Sequence, residues 1–116
     1  MLPREDVIFL VAQNTCPKKS EVLGYMCMYL SLDEAELTNI AVEQTARGCG
    51  IGMSLLKRGI EEAKSLGIKR IVLEARVSNE PALRMYDKAG FRLIGTRKNF
   101  YTKPTEDACI LEYEIC

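Results

Sequence analysis

The sequence contains no histidine. That excludes a histidine-based catalytic triad, a histidine general base and a histidine metal site. Any proton transfer must fall to Glu, Asp, Tyr, Lys or Cys. Net charge is also missing, because sixteen basic residues cancel sixteen acidic ones. A protein that grips a nucleic-acid backbone by its overall field would show a strong excess of Lys and Arg, so direct nucleic-acid binding is not expected. No apolar run approaches the length of a membrane span. The opening Met1-Leu2-Pro3-Arg4-Glu5-Asp6 lacks the regions of a signal peptide, so the expected location is the cytoplasm, away from any membrane. The five cysteines (Cys16, Cys27, Cys49, Cys109, Cys116) are odd in number and never form a CxxC pair. Neither a disulfide framework nor a zinc site is expected from that spacing, and no metal is anticipated.

With 47% hydrophobic and 28% charged residues, the 116-residue chain has an ordinary globular composition, and residues 1–116 read as one domain. Apolar runs over 7–12 and 22–30 flank a polar stretch at 13–20 with Asn and Pro at turn positions, which predicts a β-hairpin. A short turn then leads into a third strand over 34–42. Ile51, Leu55, Leu56, Ile60, Ala63 and Leu66 recur at helical spacing opposite Lys57, Arg58, Glu61, Glu62 and Lys64, predicting a helix over 53–66 capped by Gly67. Residues 69–75 read as a strand with Ile71, Leu73 and Ala75 on one face. Ser78-Asn79-Glu80-Pro81 opens a second helix that Gly90 closes, as a polar cap and first-turn proline require. Strands over 91–96 and 108–115, joined by a polar loop over 97–107, complete an α+β chain.

The segment Arg47-Gly48-Cys49-Gly50-Ile51-Gly52 joins the third strand to the first helix. Glycines at alternate positions allow positive φ and let several N–H groups converge where no Cβ intervenes. The unpaired N–H groups and dipole of the following helix add to an anion cradle for a phosphate or pyrophosphate; otherwise the segment is a plain turn. A Walker loop would end in Gly-Lys-Ser/Thr, but Met53 and Ser54 follow Gly52. A dinucleotide fingerprint needs GxGxxG directly off a strand in a βαβ unit. This loop is GxGxG, five residues beyond Val42, and only Glu74, placed where a ribose-binding acid would sit, speaks for that alternative.

Arg47-Xaa-Xaa-Gly50-Xaa-Gly52, between a strand and a helix after an antiparallel meander, resembles the acetyl-coenzyme A loop of the GNAT superfamily of N-acetyltransferases. Residues 37–42, Leu73-Glu74-Ala75-Arg76-Val77-Ser78-Asn79, residues 82–91, Arg97-Lys98-Asn99-Phe100-Tyr101 and Glu106-Asp107-Ala108 are similar to the RimI-type ribosomal-protein alanine N-acetyltransferases. The resemblance covers most of the chain from Glu34 onward and implies the GNAT fold, with acetyl-coenzyme A as co-substrate and no metal. The implied reaction is direct attack of an amine on the thioester.

The resemblance assigns the general base to Glu74, a strand carboxylate whose partial desolvation would favour proton uptake. The competing reading is an exposed acid or one paired with Arg76. It gives Tyr86 the role of acid toward the departing thiolate, against a helix tyrosine that packs with Met85. It further implies that Ile40, Ala41 and Val42 pair with the pantetheine amides, that an N–H near Val42 polarises the thioester carbonyl, and that Arg47, Gly48, Cys49, Gly50, Ile51, Gly52 and Met53 hold the pyrophosphate. Arg47 either reaches a phosphate or is solvated, and Asn79 is a helix cap, a cofactor contact or both. Cys49 departs from the pattern, since relatives usually carry a basic residue there, and a thiol at a helix N-terminus is expected to be modestly reactive.

The resemblance lacks the strand and two helices that normally open such proteins and shape the acceptor site. It therefore implies a partly missing acceptor wall and an exposed apolar sheet region that would favour a homodimer or a covering partner. The implied acceptor is a protein N-terminal amine, gripped in part by residues 97–107. Alternatives are a small-molecule amine or a catalytically inactive module that binds coenzyme A.

Overall fold

A computed structural model describes residues 6–14, 21–48 and 50–115. Strands β1 (Val7–Asn14), β2 (Glu21–Ser31) and β3 (Glu34–Val42) form the predicted meander, and a 3-10 turn at Gln44–Ala46 leads to helix α1 (Ile51–Ser65). Then come β4 (Arg70–Arg76), α2 (Glu80–Ala89), β5 (Arg92–Tyr101) and β6 (Glu106–Glu114). The six strands lie in the order β1-β2-β3-β4-β6-β5. Every pairing is antiparallel except β3 with β4, which the α1 crossover makes parallel. This is the α+β arrangement expected of the GNAT fold.

Helix α1 covers one face of the sheet because its apolar stripe Leu55, Leu56 and Ala63 meets Met26, Met28, Ile71 and Leu73, all nearly inaccessible to water. The approach is close. A Cβ added at Gly59 would lie 2.6 Å from the Met26 sulfur, so only glycine lets the helix settle at this depth without moving Met26. On β4 the expected alternation holds, with Ile71, Leu73 and Ala75 buried and Val72, Glu74 and Arg76 half-buried on the other face.

Some expected boundaries move. Gln13 and Asn14 extend β1, while the remainder of the anticipated turn, 15–20, lies outside the described residues. Helix α1 starts two residues earlier than its periodicity suggests, and Leu66 is 57% exposed beyond its last turn rather than on the apolar face. The largest correction concerns 97–107. Instead of a loop, β5 continues to Tyr101 and β6 begins at Glu106. As the last strand of the sheet, β5 carries charged and polar side chains because an edge strand faces water.

Candidate active site

The site begins with a misfit in β3. Cys27 lies opposite Asn39 while Met28 lies opposite Leu37, which leaves Thr38 as an extra residue in a β-bulge. The Thr38 hydroxyl donates to the Cys27 carbonyl at 3.4 Å. A bulge shifts the side-chain phase by one. Ala35 and Leu37 point into the core before it, and Ile40 and Val42 are the more buried residues after it.

The bulge also ends the parallel pairing. β3 and β4 remain in register from Glu34 opposite Arg70 to Leu37 opposite Leu73, and no further. Both strands continue, but β3 now bonds only to β2, and β4 only to β6. A cavity of about 320 Å³ opens in the split. One wall is formed by Thr38, Asn39, Ile40 and Ala41, the other by Glu74, Ala75 and Arg76, with Tyr25, Asn79, Tyr86 and Tyr101 at its margins. Half of a strand's backbone groups point to each side, so β3 from Thr38 onward offers an unpaired hydrogen-bonding edge along this cavity.

Glu74 and Tyr86, twelve residues apart in the chain, line the same cavity. The Tyr86 ring is 6% exposed and packs against Phe91 at 5.6 Å between centroids, with Tyr113 behind Phe91 at 5.4 Å. Burial, helped by nearby Tyr101, pushes its phenol up to about 12. The group therefore keeps its proton throughout the neutral range and has it to donate there. Glu74 does not pair with Arg76. Its carboxylate instead meets Arg97 Nη1 at 3.4 Å from each oxygen. Arg76 is claimed elsewhere: it bonds Glu106 at 3.2 Å and the Pro104 carbonyl at 3.3 Å, and its guanidinium sits 4.3 Å from the centre of the Tyr101 ring. Glu106 also accepts from the Ser78 N–H at 2.7 Å, and hydrogen bonds from Ser78, then Arg76, hold its carboxyl below the usual range. This cluster fastens the tip of the β5–β6 hairpin beside the start of α2. Tyr101 is raised by burial first and next by the negative charge of Glu74, with Arg76 opposing.

Asn79 caps α2, its side chain accepting from the Ala82 N–H at 3.3 Å, and it lines the cavity from that position. The glycine loop is adjacent. Gly48 and Gly50 have φ of 85° and 78°, and a Cβ on either would meet only open space. Gly52 differs from the expectation: it lies in the first turn of α1, where an added Cβ would come within 3.2 Å of the Met85 sulfur. Its lack of a side chain thus lets α2 approach α1. The first helical bond of α1 runs from the Ser54 N–H to the Gly50 carbonyl, so the N–H groups of Ile51, Gly52 and Met53 precede the intrahelical ladder. Arg47 is exposed and folds back, its Nε donating to the Val42 carbonyl at 3.2 Å. The expectation for Cys49 lies outside the described residues.

A second cavity, about 560 Å³, extends from Val42 along this loop to α2. Arg84 and Lys88 line it together with Arg47, and sequence reasoning passed over both. Their spacing of four on α2, one turn apart beside Met85, was the available signal. Thr38, Asn39 and Tyr25 were likewise not singled out as site residues, whereas Arg97 and Tyr101 belong to the 97–107 segment expected to grip the acceptor. Among the described residues no cluster of His, Cys, Asp and Glu could hold a metal ion, and no helix is long and apolar enough to cross a membrane.

Residues 2–91 match the family model described as the acetyltransferase (GNAT) family. The chain is 40% identical over 88 residues to the ribosomal protein bS18-alanine N-acetyltransferase of Haemophilus influenzae, covering 76% of this chain and 60% of that protein. The enzyme of the same name from Escherichia coli K12 is 40% identical over 109 residues, covering 92% and 70%. The crystal structure of the Escherichia coli ribosomal-protein-S18-alanine N-acetyltransferase superposes with a TM-score of 0.85 at 32% identity, covering 96% of this chain and 70% of that one. A Bacillus subtilis acetyltransferase in complex with coenzyme A shares the fold, with a TM-score of 0.85 at 23% identity, covering 97% and 79%. The chain thus spans about three fifths of the length of the Haemophilus relative.

Proposed function

Since the chain belongs to the GNAT acetyltransferase family, we propose that it transfers an acetyl group from acetyl-coenzyme A to a protein N-terminal α-amine. The observation that carries this reading is the split between β3 and β4, which brings a free strand edge, Glu74 and Tyr86 to one cavity.

The described residues fit the co-substrate along its length. Ile40, Ala41 and Val42 offer strand-edge amides suited to an extended, amide-containing arm. Gly48, Gly50 and the leading N–H groups of α1 suit a pyrophosphate, because a Cβ at either glycine would project into the open space a ligand would use. Arg47, Arg84 and Lys88 add positive charge to that cavity. The thioester, when bound, supplies the activated acetyl group.

The remaining chemistry falls to the protein. An α-amine titrates near 8, so Glu74 need take up only one accessible proton to leave a nucleophile. A β3 N–H near Val42 stabilises the negative charge that develops on the carbonyl oxygen. Tyr86 keeps its proton at neutral pH and donates toward the sulfur that leaves. The acceptor would enter beside Tyr25, Asn39 and Tyr101, with the β5–β6 hairpin as one wall. The relatives named for alanine N-acetylation make an Ala-starting peptide the acceptor to test first. Acetyl-coenzyme A turnover on such a peptide, compared with free small amines, decides the acceptor class. Faster turnover on amines would replace the peptide reading, and coenzyme A binding without turnover on either would favour a binding module.

A further inference from the structure

Arg97 stands out because it contacts Glu74 without forming part of the cavity wall. Glu74 is on β4 and Arg97 on β5, and β6 lies between these strands, so the guanidinium reaches across a whole strand to the carboxylate. One nitrogen, Nη1, sits 3.4 Å from both oxygens. The guanidinium also lies 4.6 Å from the centre of the Phe100 ring. A bulge places that ring there: β5 and β6 lose register between Arg97 and Tyr101, Asn99 adopts φ of 53°, and its N–H is held by Asp107 at 2.9 Å.

We infer that Arg97, braced by Phe100, is a positioning residue that fixes the Glu74 carboxylate from behind while its other side faces the acceptor. A carboxylate on a flexible side chain samples several rotamers, and a cation equidistant from both oxygens restrains its plane. The cation's position outside the wall leaves the acceptor side of Glu74 open. Arg76 cannot substitute, since Glu106, Pro104 and Tyr101 already engage it. The inference rests on Glu74 being the base.

The test is a double-mutant cycle on Ala-starting peptide turnover, with coenzyme A binding measured by calorimetry. Arg97→Gln should lower kcat about tenfold, a modest share of what small misplacement of a catalytic group can cost, with coenzyme A affinity unchanged. Arg97→Lys should recover most of that loss, and Phe100→Leu, which keeps the cation, should lower kcat about threefold. In a Glu74→Gln background, Arg97→Gln should cause no further decrease, because its effect passes through the carboxylate. Equal losses in both backgrounds, or an unchanged kcat for both Arg97→Gln and Phe100→Leu, would overturn the inference while leaving the base assignment intact. If Glu74→Gln itself leaves turnover unchanged, the base assignment fails and this inference fails with it.

Discussion

Replacing Tyr86 by Phe removes one oxygen and leaves the ring in its packing against Phe91 and, behind that, Tyr113. The phenol stands at about 12 chiefly because ionising it would place a charge in a buried site. Relative to an exposed tyrosine near 10, that rise corresponds to roughly 3 kcal/mol. Below pH 10 the native and unfolded states both hold the proton, and stability does not depend on this group. As pH rises from 10 through 12, the unfolded chain releases its proton first. The native state therefore loses up to roughly 3 kcal/mol of stability across that window. Tyr86→Phe has no proton to lose, so its alkaline denaturation should be shallower than that of the wild type by up to this amount. Denaturant titrations at pH 8 and pH 11.5 measure the difference directly. The chain has five tyrosines and no tryptophan, so phenolate absorbance follows the five phenols together, and the difference between wild type and Tyr86→Phe isolates the one at Tyr86. At pH 8 the variant should melt close to the wild type, yet turn over acetyl-coenzyme A about 10²–10⁴-fold more slowly if the hydroxyl serves as the acid. An alkaline stability loss equal to that of the wild type would refute the buried-phenol argument, and turnover within about threefold of the wild type would refute the catalytic one.

Gly50→Ala forces a side chain into φ of 78° at the helix boundary, a strain of about 1–2 kcal/mol. It also places a methyl group in the cradle, so coenzyme A affinity in calorimetry should fall about tenfold beyond what a control such as Gly67→Ala produces. Equal effects of the two substitutions would remove the loop from the binding site. Asn79→Ala deletes the α2 cap and should lower stability to chemical denaturation by about 0.5–2 kcal/mol. Should stability hold while coenzyme A affinity drops, Asn79 would be a ligand contact rather than a cap.

The strands and helices were legible because apolar spacing reports burial, and the Gly50, Asn79 and Gly90 punctuation reports helix ends. The split was partly legible too. Ala35 and Leu37 share one phase, and Ile40 and Val42 the other; such a slip signals a bulge, although nothing in the run says that β4 parts from β3 there. Residues 97–101 misled as a loop because their charges mark an edge strand equally well. The partners of Glu74 were beyond reach of local reasoning. Arg76 is the nearest cation in sequence but on the same strand, while Arg97 lies 23 positions on and two strands away. Leu66 continued the helical period one residue past the end of α1 at Ser65, where it is the C-cap, and periodicity alone carries no stop signal.

Steady-state acetylation of an Ala-starting peptide by wild type and Glu74→Gln, with coenzyme A affinity measured on both, tests most directly whether Glu74 is the base. With Glu74 as the base, kcat should fall about 10²–10⁴-fold with affinity unchanged. A variant that turns over within about tenfold of the wild type would contradict that assignment.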